Sequence, residues 1–406
     1  MKVQFNQMHS SGEIVEALNE KLKEFQDFSE WFREDLSNYH RALKNVAQSD
    51  SKDVQEKVKG TNAAMPSTEL DYGNEFRIGF DQTWQFHEEA RNWAEQILFE
   101  RTTFAVDGSL FYAEKEVTLP VGIVRIGWFE NPHSANLPYE KNSKLIVLSP
   151  KDLLEDQEEP VRPETRVDDE MFSGELARAR GFIEKKAGWR TRNEKMPLAF
   201  LDRPLLLPFS PERSVVQQKR IDETASLMRF SQEAEVPIIG FVDRGFSRDI
   251  INLLEAYDKT NLPGKRVLYD SAIVGAKDGE LLKSWGDRTP FCYVKRQGLE
   301  KYVDDKTGRS SIGIVFMNTG KEGGAARLDV PAWIFESGLL DEVCEVVRAE
   351  CVVGVGYPYA IETADQVAVI KFQDRERFLK ALQVFAKNNN LNFSVSRKNR
   401  SKGRRR

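Results

Sequence analysis

The chain reads as an α/β fold: a mixed sheet with an antiparallel meander and then alternating strands and helices, behind an N-terminal helical extension. Two observations predict it. Three β-like runs follow one another closely, Phe104–Val106 ending in Asp107, then 121–129 and 144–148, joined only by loops, as in a meander. From Leu198 onward, short apolar runs alternate with helical patterns, which argues for parallel pairing through helical crossovers.

The chain divides by pattern into residues 1–99, 100–388 and 389–406. In the first part, residues 11–48 carry Ile14, Leu18, Leu22, Phe25, Phe28, Phe32, Leu36 and Tyr39 at three- and four-residue steps, one apolar stripe of a helix. That stripe either packs on the body of the protein or serves a dimer contact. Residues 49–75 are polar, with Gly60, Pro66 and Gly73, and read as a linker; a second helix is expected over 80–99.

The strand at Phe104 is expected to stop at Gly108-Ser109, since glycine turns at low steric cost, leaving Asp107 at its tip. Residues 151–169, acidic and with two prolines, read as an exposed connection before a helix over 169–187 that carries Glu175 near its apolar edge. In Leu198–Leu207 an apolar run is interrupted by Asp202, a carboxylate that is costly to bury unless paired, hydrogen-bonded or on a metal. Arg203 is the nearest ion-pair alternative. A helix follows over 212–233, then a strand over 238–242 and a helix up to Tyr257. Further β-like runs are expected at 267–271, 291–294, 312–317, 352–355 and 367–371, with helices over 360–366, bearing Asp365, and 375–386.

Charged residues make up 30% of the 406 residues and the net charge is −5, which suits a heavily solvated surface. No apolar run approaches the ~18 residues that cross a bilayer, and the N-terminus lacks the apolar core of a secretory signal, so a cytoplasmic protein without membrane association is expected. Cys292, Cys344 and Cys351 lack CxxC spacing and are expected to be reduced, two of them in the core. The four histidines are not at ligand spacing. Chemistry would therefore rest on carboxylates.

Asp107 on a first strand, Glu175 on the following helix, Asp202 on a fourth strand and Asp365 on a late helix arrive in the order of an RNase H-like domain, where acids so placed meet at one sheet edge. The chain also resembles the NurA nuclease family in FAVDGSL, FSGELARAR, AFLDRPLLL, VLYDSAIVG with the later GDRTPF, and GYPYAIETADQVAVI followed by DRERF. The resemblance implies a metal-dependent DNA nuclease on an RNase H-like core. It also implies a homodimer that works with a HerA-type hexameric ATPase in DNA end processing or phage defence. Residue by residue it implies that Asp107, Glu175 and Asp202 are metal ligands and that Asp365 is a further catalytic residue, a position where some members have histidine. Where the family often shows Asp-Gly this chain has Asp202-Arg203, and Glu170 lies close enough to Glu175 to compete for the helix position.

The chemistry fits these residues. Mg²⁺ and Mn²⁺ take oxygen ligands, and a pair of such ions serves in-line attack on a phosphodiester. Arg288, in a turn, is either a phosphate contact or a structural ion pair. The tail Arg397, Lys398, Arg400, Lys402, Arg404, Arg405 and Arg406 has no apolar side chain to bury, so it is either a polyanion contact or a solubilising extension. Two rival readings share the pattern: an inactive RNase H-like adaptor for an ATPase, and a nuclease acting on RNA.

Overall fold

The computed structural model describes residues 11–394 except 74, 114–116, 155–160, 208–214, 260–261, 263–267, 276–280, 295, 297–299, 305–307 and 321–323. The basic residues from Arg397 onward lie outside the described residues. The described strands are β1 (Met65–Pro66), β2 (Thr103–Tyr112), β3 (Gly122–Asn131), β4 (Glu140–Leu148), β5 (Leu198–Leu201), β6 (Ile238–Val242), β7 (Cys292–Tyr293), β8 (Ile312–Asn318) and β9 (Ala325–Pro331). They form one sheet in the order β1-β7-β8-β9-β6-β5-β2-β3-β4. Its β4-β3-β2-β5-β6 half is RNase H-like: β2, β3 and β4 are an antiparallel meander, and β5 and β6 add in parallel to β2. Beyond β6 the parallel pairing expected from the sequence gives way to antiparallel strands, β9, β8, β7 and β1.

Both faces of the β2–β3 region are covered. Alternation sends Phe104, Val106 and Gly108 to one face. There the helix Pro163–Lys186 packs, with Phe104 stacked on Phe182 at 4.6 Å between ring centroids, and the helix Val215–Glu233 lies against it. The opposite face carries Ala105, Asp107 and Ser109 and receives the helix Tyr359–Ala368. Buried Glu350, on the helix Leu340–Val353, accepts from the Ala360 amide at 2.9 Å and so satisfies the first turn of that helix.

Several expected elements take a different form. β2 does not stop at Gly108; it runs to Tyr112, and Gly108 pairs opposite Ile126. The N-terminal stripe is divided into Ser11–Glu20 and Leu22–Ala47, and the 80–99 helix spans only His87–Leu98. The 49–75 stretch is structured. Asp50 caps a helix over Ser51–Val58, and β1 joins the sheet edge, where Pro66, lacking an amide proton, is tolerated. Residues 352–353 end the helix Leu340–Val353, and residues 367–368 end Tyr359–Ala368. Both are short apolar runs, which periodicity alone does not assign to strand or helix. Asp270 begins a short helix, Asp270–Val274. All three cysteines are buried and free.

Candidate active site

The site begins where β5 stops. β5 pairs with β2 only from Thr103↔Leu198 to Val106↔Leu201, so the next residues, Asp107 and Asp202, stand level at the point where the sheet opens. β2 continues past this notch because β3 still pairs with it, with Asp107 opposite Gly127. At Gly127 a Cβ would lie 2.5 Å from the Ala368 amide nitrogen and 2.9 Å from the Ala364 carbonyl oxygen. Its absence lets the helix Tyr359–Ala368 lie directly on β3, which brings Asp365 over Asp107.

Glu175 arrives from the other face. A Cβ on Gly108 would collide with Glu175 Oε1 and come within 2.5 Å of Met171 Cγ. Gly108 therefore serves close approach and not a turn. Through the notch the two faces communicate: the charges of Asp107 and Asp202 both act on Glu175, and those of Asp202 and Asp365 on Asp107.

Crowding sets the electrostatics. Burial, reinforced by Asp202 and Asp365, pushes Asp107 up to about 7, against the pull of the Gly108 amide. Burial likewise pushes Glu175 up to about 8, although Arg203 pulls the other way. Asp202 is also raised, first by burial and then by Asp365 and Asp243, while a hydrogen bond from Tyr357 and the charge of Arg203 oppose the shift. The Tyr357 hydroxyl donates to Asp202 Oδ1 at 2.6 Å, and its ring packs edge-on against Phe241 with centroids 5.1 Å apart. Arg203 does not pair with its neighbour Asp202; its Nη2 lies 2.5 Å from Glu175 Oε2.

The donor set suits a divalent cation. Its atoms are hard carboxylate oxygens, and Glu175 Oε1 is buried with no hydrogen-bond partner, an orphan acceptor beside the other acids. Among the described residues no three acidic, histidine or cysteine side chains yet stand close enough to ligate one ion; Arg203 already claims the second oxygen of Glu175.

Of the residues singled out from sequence, Asp107, Glu175, Asp202 and Asp365 are brought together. Glu170, the rival helix acid, instead lines a separate cavity of about 670 Å³ with Asp169 and Lys219. Arg288 is corrected from phosphate contact to structural ion pair. It is 1% exposed, and its Nη1 and Nη2 donate to Glu69 Oε2 and Oε1 at 2.8 and 2.6 Å, with a further bond to Asp341 at 2.6 Å. Sequence reasoning passed over Tyr357, Asp243 and the Arg203–Glu175 pair. Asp243 had a signal, since it follows β6 as Asp202 follows β5; Tyr357 lies inside the GYPY turn without a period to mark it.

An RNase H-like sheet with four carboxylates at the mouth between β2 and β5 defines the class of protein. The profile of the NurA domain matches residues 101–370. The chain belongs to the NurA family, which places it among nucleases. No curated protein matches it significantly. Among solved structures it is similar to the Argonaute of Kluyveromyces polysporus with a guide RNA, at 12% identity and a TM-score of 0.25 over 68% of this chain and 29% of that one. The C-terminal lobe of a budding yeast Argonaute is similar at 11% identity and a TM-score of 0.25, over 68% of this chain and 48% of that one. The chain thus spans less than half the length of either. No described helix is long and apolar enough to cross a membrane.

Proposed function

We propose that the chain is a divalent-metal-dependent deoxyribonuclease that hydrolyses phosphodiester bonds. We further propose that it acts as a homodimer with a HerA-type hexameric ATPase in DNA end processing or phage defence. The observation that carries the chemistry is the convergence of Asp107, Glu175, Asp202 and Asp365, from the middle of β2, the end of β5 and two helices, on one notch. The partner and dimer rest on the family resemblance.

Asp107, Glu175 and Asp202 would hold Mn²⁺ or Mg²⁺, two ions per site, with Asp365 beside them. When bound, such ions supply an activated water and stabilise the leaving oxygen. The chain's own residues prepare the site. Tyr357 fixes one oxygen of Asp202 and leaves the other available. The raised Asp107 and Glu175 favour their protonated forms until a cation replaces the protons, so metal binding releases protons and strengthens with pH. The basic tail would add a sequence-independent hold on the phosphate backbone.

The test is cleavage of a labelled single-stranded DNA in Mn²⁺ by wild type and Asp107→Ala, alone and with the ATPase, beside a matched RNA strand. DNA cleavage by wild type that Asp107→Ala abolishes is expected. Equal cleavage by both, or cleavage by neither, removes the enzyme reading and leaves the adaptor. Preference for the RNA strand replaces DNA as the substrate.

A further inference from the structure

The two oxygens of Glu175 are treated unlike each other. The residue is 2% exposed; Oε2 meets Arg203 Nη2 at 2.5 Å, while Oε1 has no hydrogen-bond partner. A buried carboxylate held in this way is costly unless a positive charge balances it. Arg203 supplies that charge, and its position is supported from the same helix. The guanidinium lies over the ring of Phe172, 4.6 Å from its centroid, and Phe172 precedes Glu175 by three residues, on the same side of the helix. The arginine follows Asp202 directly in the chain, so one short segment delivers both an acid of the notch and the cation that neutralises another.

We propose that Arg203 is a positioning residue that serves as a stand-in cation. Its guanidinium holds Glu175 beside Gly108 in the metal-free protein and competes with the divalent ion for that carboxylate, so the ion gains Oε2 only when the arginine leaves it. This rests on the metal-dependent reading of the site. It accounts for a site whose acids are gathered but not yet converged into a ligand sphere. It also gives the Asp-Arg sequence at 202–203 a role that a glycine after the aspartate would not fill. The released guanidinium stays at the mouth of the notch, tethered next to Asp202.

The experiment is calorimetric titration of Mn²⁺ into the full chain after chelation, comparing wild type, Arg203→Gln and Arg203→Lys, each with Glu175 intact or changed to Gln. With Glu175 intact, Arg203→Gln is expected to bind Mn²⁺ at least about tenfold more tightly, because the ion no longer has to break a largely buried pair. The same variant should have a lower thermal midpoint in chelator, and added Mn²⁺ should restore it. Arg203→Lys, which keeps the charge but loses the planar fork, is expected to fold and to bind a few-fold more tightly than wild type. In the Glu175→Gln background, Arg203→Gln should leave only the smaller gain that removing a charge beside Asp202 produces.

If wild type binds Mn²⁺ and neither Arg203 variant binds it more tightly, competition is wrong. If Arg203→Gln binds more weakly, the arginine assists the ion, which also overturns the proposal. A gain of equal size in the Glu175→Gln background would show that the effect does not pass through Glu175. Absence of Mn²⁺ binding by wild type would instead defeat the metal-dependent function, and this inference with it.

Discussion

Replacing Asp107 by asparagine should stabilise the metal-free protein at alkaline pH while leaving it unchanged in acid. Asp107 is raised from 3.8 to about 7, chiefly by burial and then by the charges of Asp202 and Asp365. An acid whose folded-state value is raised stabilises the fold in its protonated form. That contribution is complete below 3.8 and is lost as the pH rises through about 7. At 1.36 kcal/mol per pH unit the full difference is about 4 kcal/mol; water reaching a half-buried group reduces it, so about 2–4 kcal/mol is expected. Asparagine is nearly isosteric and never ionises. Asp107→Asn should therefore match wild type below about pH 3.8, draw ahead between 3.8 and about 7, and hold its full lead at pH 8.5. For a chain of this length 1 kcal/mol moves the thermal midpoint by about 1 °C, so the gain should be about 2–5 °C. The assay is thermal unfolding in chelator across that pH range, repeated with Mn²⁺, which should stabilise wild type and not the variant. Parallel pH profiles for the two proteins in chelator would refute the reasoning, since they would mean that ionised Asp107 carries no penalty in the fold.

Three further outcomes follow from the geometry. Gly108→Ala places a Cβ against Glu175 Oε1 and Met171; it should cost about 1–3 kcal/mol in urea unfolding and weaken Mn²⁺ binding, and wild-type values in both would show that Glu175 does not need the gap. Arg288→Ala leaves the partly buried Glu69 unpaired and should cost about 3–5 kcal/mol, while the folded protein keeps its DNA affinity; weaker DNA binding at unchanged stability would restore Arg288 as a phosphate ligand. Deleting Arg397–Arg406 should weaken binding to single-stranded DNA and flatten its salt dependence by about 0.7 in log–log slope for each phosphate that the tail no longer neutralises, and an unchanged slope would make the tail a spectator.

The RNase H-like half was legible because its signals are local. β2, β3 and β4 follow one another without a crossover, and each short apolar run of β5 and β6 ends on an acid. The far half was less legible because its strands are shaped by partners distant in sequence. β9, Ala325–Pro331, is wholly buried yet carries Arg327 and Asp329, which in sequence argues against a core strand. Arg327 pairs with Asp329 at 2.6 Å and with Asp249 at 2.9 Å, and Asp329 also accepts from the Leu206 amide at 2.8 Å. The charges that hid the strand satisfy one another inside the fold.

The same distinction governs the site. Asp107 and Asp202 announce themselves by ending or interrupting an apolar run, because an acid there needs a reason. Glu175 and Asp365 were legible only through the order in which the four acids arrive. Their convergence depends on absences that pattern does not weigh: β5 is four residues long, and Gly108 and Gly127 have no Cβ. A longer β5 would pair beside Asp107 and close the notch. A side chain at 127 would lift the helix Tyr359–Ala368, and Asp365 with it, off the sheet; one at 108 would push Glu175 away. The Asp-Gly of FAVDGSL is thus informative for a reason opposite to the one its pattern suggests. The aspartate does not sit at the end of its strand, and the glycine does not turn the chain. The strand runs on, and the glycine is the opening through which the acid of the opposite face reaches the notch.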